Sequence, residues 1–181
     1  TDVDTWEGSD EAVHADLDPK RVAGQTSPFA GRPIRESRDS AEHPQSLPVA
    51  LFFDVTGSMG VIPQMLQKKL ASLMDVVREK TGIADVQVLV AAVGDATCDS
   101  YPLQVGQFES DNRFDEQLRN IILEGNGGGQ VMESYALAHR CAADHAATDA
   151  WDKRGERGFL FTMGDGVDPG AAAAKFGFSS A

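Results

Sequence analysis

The 181-residue chain is long enough for one domain with a sizeable core and short for two. Its 28 acidic against 16 basic residues give a formal charge of −12, which argues against nucleic acid or an anionic membrane as a partner, because both recruit clustered Lys and Arg. No apolar run approaches the ~20 residues of a membrane helix, and the N-terminal TDVDTWEGSDEA lacks the basic and hydrophobic parts of a signal peptide, so a soluble, cytoplasmic protein is expected.

Residues 1–47 hold Pro19, Pro28, Pro33 and Pro44, many charges and no sustained periodicity. Such a composition buries too little apolar surface to offset chain entropy, and an extended or disordered N-terminal arm is expected, with Trp6, Val22, Phe29 and Ile34 as its few anchors. From Pro48 the pattern becomes that of an ordered domain, expected over 48–181. VALFFDV is a continuous apolar run, as for a strand buried on both faces of a mostly parallel sheet. Ile62, Leu66, Leu70, Leu73 and Val77 then recur at steps of three and four, an amphipathic helix with Gly82 as its stop. DVQVLVAAVGD reads as a second strand and PLQVGQF as a short third. DNRFDEQLRNIIL reads as a helix with Phe114, Leu118 and Ile122 on one face. The loop EGNGGGQ leads into an alanine-rich helix over 132–147, whose His139 and His145 read as surface or satisfied core positions. GFLFTM reads as another buried strand, ending at GDG. The alternation predicts an α/β fold with a doubly wound, mostly parallel sheet flanked by helices, Rossmann-like in outline. Cys98 and Cys141 have no C-x-x-C spacing and read as free thiols.

In an open α/β sheet, ligands gather at the carboxyl ends of the parallel strands. Three segments end there in acids or hydroxyls: the first with Asp54, Thr56 and Ser58, the second with Asp95, a later one with Asp165. Magnesium prefers near-octahedral oxygen at about 2.0–2.1 Å and retains water, so a few carboxylates and hydroxyls suit it. Without His or Cys in the set, a hard ion, Mg²⁺ or Mn²⁺, is favoured over zinc or copper. Plainer readings compete. Thr56 and Ser58 can cap the following helix while Asp54 bonds to the turn, Asp95 can form a strand-end turn, Glu133 can be a first-turn helix acid, and GNGGG lacks the Lys and Ser/Thr of a phosphate-binding loop. Enzyme signatures do not fit: Val55 interrupts an aspartic-protease D-T-G, G-S-M-G is not the G-x-S-x-G of a nucleophile elbow, and a D-x-D phosphotransferase motif lacks its second acid.

DVTGSM after a hydrophobic strand, a glycine-rich loop before a helix, and LFTMGDG at a later strand end together resemble a von Willebrand factor type A (VWA) domain, over roughly residues 48–168. The resemblance implies a metal-ion-dependent adhesion site (MIDAS) with Asp54, Thr56, Ser58 and Asp165 as ligands, direct or through water. The family's second-loop threonine is missing from GNGGGQVMESYALA. Gln130, Glu133 or Ser134 would replace it, Glu133 being the candidate taken here. A third carboxylate would hold the ion firmly and weaken its pull on a partner's acid. Residues 166–181 are also fewer than the family's closing elements occupy, so the sheet is expected to be incomplete at its C-terminus or completed differently. The implied function is a metal-dependent protein-interaction module, not an enzyme, in which a partner's Asp or Glu completes the metal shell. Prokaryotic relatives working beside AAA+ ATPases or in multiprotein assemblies suggest such a partner. The alternative is an assembly subunit that uses its N-terminal arm, with a vestigial metal loop. A metal-assisted hydrolase is disfavoured because no general base stands in the motif loops.

Overall fold

The computed structural model describes residues 13–14, 16–18, 35–81, 85–96, 98–125 and 134–166, with backbone alone at 71, 73–74, 77–78 and 80–81. Strand β1 (Arg35–Ser37) is followed by β2 (Leu47–Asp54), a 3-10 turn (Gly57–Met59), helix α1 (Ile62–Thr81), and strands β3 (Val86–Val93) and β4 (Leu103–Val105). Helices α2 (Arg113–Asn120) and α3 (Tyr135–His145), strand β5 (Ala146–Thr148), helix α4 (Asp149–Arg154) and strand β6 (Phe159–Met163) complete the series.

The main sheet runs in the order β4-β3-β2-β6. Its three longer strands are parallel, with Asp54 in register with Val93 and Phe53 with Met163, while β4 lies antiparallel on β3. Alternate residues of the apolar runs feed the two faces. Val49, Leu51, Phe53 and Val55 join Val88, Val90, Leu70 of α1, and Phe114 and Leu118 of α2. Ala50, Phe52, Leu89, Ala91 and Val93 join Tyr135, Leu137 and Ala138 of α3. The fold is therefore mixed α/β, a parallel-dominated sheet with helices against both faces, and its continuous apolar runs reflect burial from both sides.

Part of the segment expected to be an extended arm is built into this unit. β1 pairs parallel with β5, and Leu17 is fully buried among the residues packed under α1 and α2. The Arg35 guanidinium lies buried, donating from Nε to Gly106 O at 3.0 Å and from Nη2 to Asp18 O at 2.9 Å and Val105 O at 3.1 Å. The anchors Trp6, Val22, Phe29 and Ile34 lie outside the described residues.

Other expectations shift locally. Helix α2 stops at Asn120, short of Leu123, because buried Gln104 holds both backbone groups of Ile122 (2.8 and 2.9 Å) and Gln67 Nε2 donates to the terminal carbonyls of Leu118 and Ile121 (2.6 and 3.1 Å). The helix expected over 132–147 is described from Tyr135 and ends at His145, giving way to β5 and α4. Thr148 Oγ1 caps α4 by accepting from Trp151 N, and Gly155 closes it in the left-handed region at φ 68°. On α1, Leu70 is buried and Leu66 packs beside the core, but Ile62 is 46% exposed. The strand at GFLFTM forms, yet it is exposed where burial was expected: among the described residues β6 has a neighbouring strand, β2, along one side only. Neither Cys98 nor Cys141 is joined in a disulfide, and no described helix is long and apolar enough to cross a membrane.

Candidate functional site

The parallel register brings the carboxyl ends of β2, β3 and β6 to one end of the sheet. There Asp54 is the last residue of β2 and is fully buried. Its Oδ1 accepts from Thr56 N at 2.8 Å and from Thr56 Oγ1 at 2.6 Å, a local turn that the spacing D-x-T dictates. Thr56 Oγ1 lies 3.1 Å from Ser58 Oγ, and Ser58 Oγ donates to Asp165 Oδ1 at 3.0 Å. Four oxygen-bearing side chains from two distant segments thus form one continuous chain. Asp54 and Thr56 are its buried end, and Ser58 and Asp165 its solvent-exposed end.

The plainer reading is met in part: Asp54 does bond to its turn, but Thr56, at the N-cap of the 3-10 turn, makes no side-chain capping bond. The hydroxyls are spent on neighbouring oxygens instead.

Tyr135, which the sequence reading did not single out, joins the cluster from the first turn of α3. Its hydroxyl donates to Asp54 Oδ2 at 2.6 Å, so both carboxylate oxygens of the buried acid are held. The same hydroxyl accepts from Gly166 N at 3.4 Å, linking the loop that carries Asp165. A Cβ at Gly164 would stand 1.9 Å from the Tyr135 hydroxyl. Glycine there is what allows the phenol to pass β6 and reach Asp54. The only signal in the sequence was indirect: Tyr135 follows the glycine-rich loop by a few residues, near where the resembled family places a hydroxyl.

Asp95 shapes a strand-end turn: its carbonyl accepts from Cys98 N and Asp99 N, its N–H donates to Asp99 Oδ2 at 2.6 Å, and its Oδ2 accepts from the Cys98 thiol at 3.4 Å. Burial pushes the neighbouring Asp99 carboxyl above its usual range. Ser134 ties the same loop to α3, accepting from Ala96 N at 2.9 Å. Glu133 and Gln130 lie outside the described residues. His139, on the exposed side of α3, stacks on Phe52 at 5.9 Å and hydrogen-bonds Thr162 Oγ1 at 2.8 Å.

The donor set can be tested against a metal on chemistry and spacing. Adjacent ligands of an octahedral ion with bonds of 2.0–2.1 Å stand about 2.9 Å apart. The pairs Thr56–Ser58 and Ser58–Asp165, at 3.1 and 3.0 Å, have that spacing. Among the described residues there is no metal-holding cluster of three or more His, Cys, Asp or Glu side chains; this site instead mixes two carboxylates with two hydroxyls, a hard oxygen set suited to Mg²⁺ or Mn²⁺. Comparison with protein families, curated proteins and solved structures finds no match to this chain.

Proposed function

We propose that this protein is a metal-dependent interaction module of the VWA type, built on a doubly wound sheet, in which Asp54, Thr56, Ser58 and Asp165 hold Mg²⁺ or Mn²⁺ and a partner's Asp or Glu binds at the exposed side. The observation that carries the reading is the unbroken oxygen chain from Asp54 to Asp165, joining two segments more than a hundred residues apart at one end of the sheet.

A bound divalent ion would supply an electrophilic centre with room for one more carboxylate, since two protein carboxylates balance its charge while hydroxyl and water ligands leave it attractive to a third acid. The chain's own residues prepare that centre. Thr56 N–H and Tyr135 O–H fix the rotamer of Asp54, and the buried hydroxyl of Thr56 keeps the inner side ordered. Ser58 can donate its proton to Asp165 while offering a lone pair to the ion.

Isothermal titration of Mg²⁺ and Mn²⁺ into chelator-treated protein tests the reading. Saturable binding is expected for the wild type and its loss in Asp54→Ala. Because Asp54 is buried, Ser58→Ala at the exposed end serves as a second variant, checked for folding by circular dichroism. Absence of binding by the wild type overturns the proposal and leaves Asp54 and Thr56 as turn-formers. Partner capture that survives chelation points instead to assembly through the N-terminal arm.

A further inference from the structure

Three polar side chains meet where β2 and β3 begin, at the end of the sheet away from the oxygen cluster. His43 lies in the turn before β2, Asp85 immediately precedes β3, and Ser110 follows Glu109, whose backbone bonds both ways with Val88 of β3 (2.8 and 2.9 Å). Ser110 Oγ lies 2.9 Å from His43 Nε2, and His43 Nδ1 lies 3.5 Å from Asp85 Oδ1. The backbone of His43 is held by Ser40, whose Oγ accepts from His43 N at 3.0 Å and whose N–H donates to His43 O at 2.9 Å. Asp85 Oδ2 accepts from Gln45 N at 3.0 Å, which leaves Oδ1 toward the imidazole.

Charge chooses the tautomer of His43. Its Nδ1 is buried, without a hydrogen-bond partner among the described residues, and faces the Asp85 carboxylate at ion-pair distance. A nitrogen lone pair opposed to an anionic oxygen is repelled, whereas an N–H dipole aimed at it is attracted. The proton therefore sits on Nδ1, Nε2 is the acceptor, and the Ser110 hydroxyl donates to it. A hydroxyl bonded to a base that a third group orients is the geometry of an activated nucleophile, and contacts to the orienting acid commonly shorten once the base carries charge. Sequence spacing does not announce such a set, which is defined by geometry and roles.

We propose that Ser110 is a nucleophile that cleaves small carboxylic esters, with His43 as its base and Asp85 positioning His43. Ser110 Oγ attacks the ester carbonyl carbon while its proton passes to His43 Nε2. The tetrahedral adduct expels the alcohol, which leaves with that proton, and the acyl group stays on Ser110. Water then attacks the acyl-serine and gives a proton to Nε2; the carboxylic acid departs, and the proton returns to Ser110 Oγ. Asp85 stays ionised throughout and steadies the imidazolium. Both Ser110 and His43 reach solvent, His43 with 26% of its side chain exposed. Glu109 and Asp111 flank Ser110 and share one cation, Arg113, at 3.0 Å each, so acid is in excess even before Asp85 is counted. Neutral or cationic esters are therefore favoured over anionic ones. The inference is independent of the metal reading, because none of the three residues takes part in the oxygen cluster.

The test treats the full chain, in EDTA, with an uncharged fluorophosphonate, whose fluoride an activated serine displaces, and locates the adduct by mass spectrometry; turnover is followed with para-nitrophenyl acetate. One adduct per chain is expected, on Ser110. It should be absent from Ser110→Ala and form about a hundredfold more slowly in His43→Gln, with the folding of each variant checked by circular dichroism. Asp85→Asn keeps an oxygen for Gln45 N but removes the charge that sets the tautomer, so it should lower kcat for the acetate ester and leave KM unchanged. A wild type that takes up no label overturns the proposal, as does label on another residue or label that needs a divalent ion. Ser110 labelled equally fast in folded His43→Gln overturns it as well.

Discussion

The Tyr135 hydroxyl donates to Asp54 Oδ2 at 2.6 Å across 81 positions of sequence, tying the first turn of α3 to the end of β2. A hydrogen bond to a buried charged group contributes about 1.5–3 kcal/mol. Tyr135→Phe keeps the ring and removes the donor, so it should lower unfolding stability by that amount, read from urea denaturation. Under the proposed function it should also weaken Mg²⁺ binding, since one oxygen of Asp54 is then free to turn. Unchanged stability and unchanged metal affinity would together show that the contact does not order the carboxylate.

Gly164→Ala tests the same arrangement from the other side. A Cβ there meets the Tyr135 hydroxyl at 1.9 Å and its ring carbon Cζ at 2.7 Å, so the phenol must retreat. Overpacking of this kind costs about 1–3 kcal/mol. The double variant Gly164→Ala with Tyr135→Phe should cost less than the sum of the two single changes, because both act on one contact. Strict additivity in denaturation midpoints would separate the two residues.

Arg35 anchors β1 through three backbone carbonyls, those of Asp18, Val105 and Gly106. Arg35→Met fills much of the volume but leaves those carbonyls without their guanidinium, at a cost of about 3 kcal/mol or more. Arg35→Lys should recover only part of this, since an ammonium cannot reproduce the planar fork. Denaturant unfolding measures both, and equal stability of Arg35→Lys and wild type would refute the geometric argument.

The acid limb of stability should depend on Asp149. Its carboxylate is held below the usual range first by the Lys153 ammonium and then by the Asp39 N–H and the Arg38 guanidinium. A depressed folded-state pKa means stability that is present above the unfolded value near ~4 and lost as pH falls through the folded one. Asp39, lowered chiefly by Arg154, adds in the same direction. Asp99 and Glu109, raised by burial, act with the opposite sign, so the difference between wild type and Asp149→Asn is the readout. Urea midpoints measured between about pH 7 and pH 2.5 should draw closer for the two proteins as pH falls below about 4, without meeting. A constant gap at every pH would assign Asp149 a role unrelated to its charge.

The local elements were legible where one periodicity dominated. VALFFDV and VQVLVAAV admit little but buried strands, and the three- and four-residue steps after Ile62 specify α1. The turn from Asp54 to Thr56 follows from two residues and their short polar side chains. The signals for α4, Thr148 before it and Gly155 after it, are also present in the sequence, but the alanine-rich run preceding them masks the break at β5.

What the sequence could not decide depended on distance along the chain. Burial of Leu17 and Arg35 is set by the end of β4 and by α2, partners far from them in sequence that the composition of their own segment does not indicate. The exposure of β6 goes with its place last in the strand order of the described residues, because an identical apolar strand in a central position would be buried. Sequence alone determined that Asp54, Thr56 and Ser58 share one loop. Tertiary structure decided that Asp165 and Tyr135 meet them, since parallel pairing of β6 with β2 carries one to the site and the missing side chain at Gly164 admits the other.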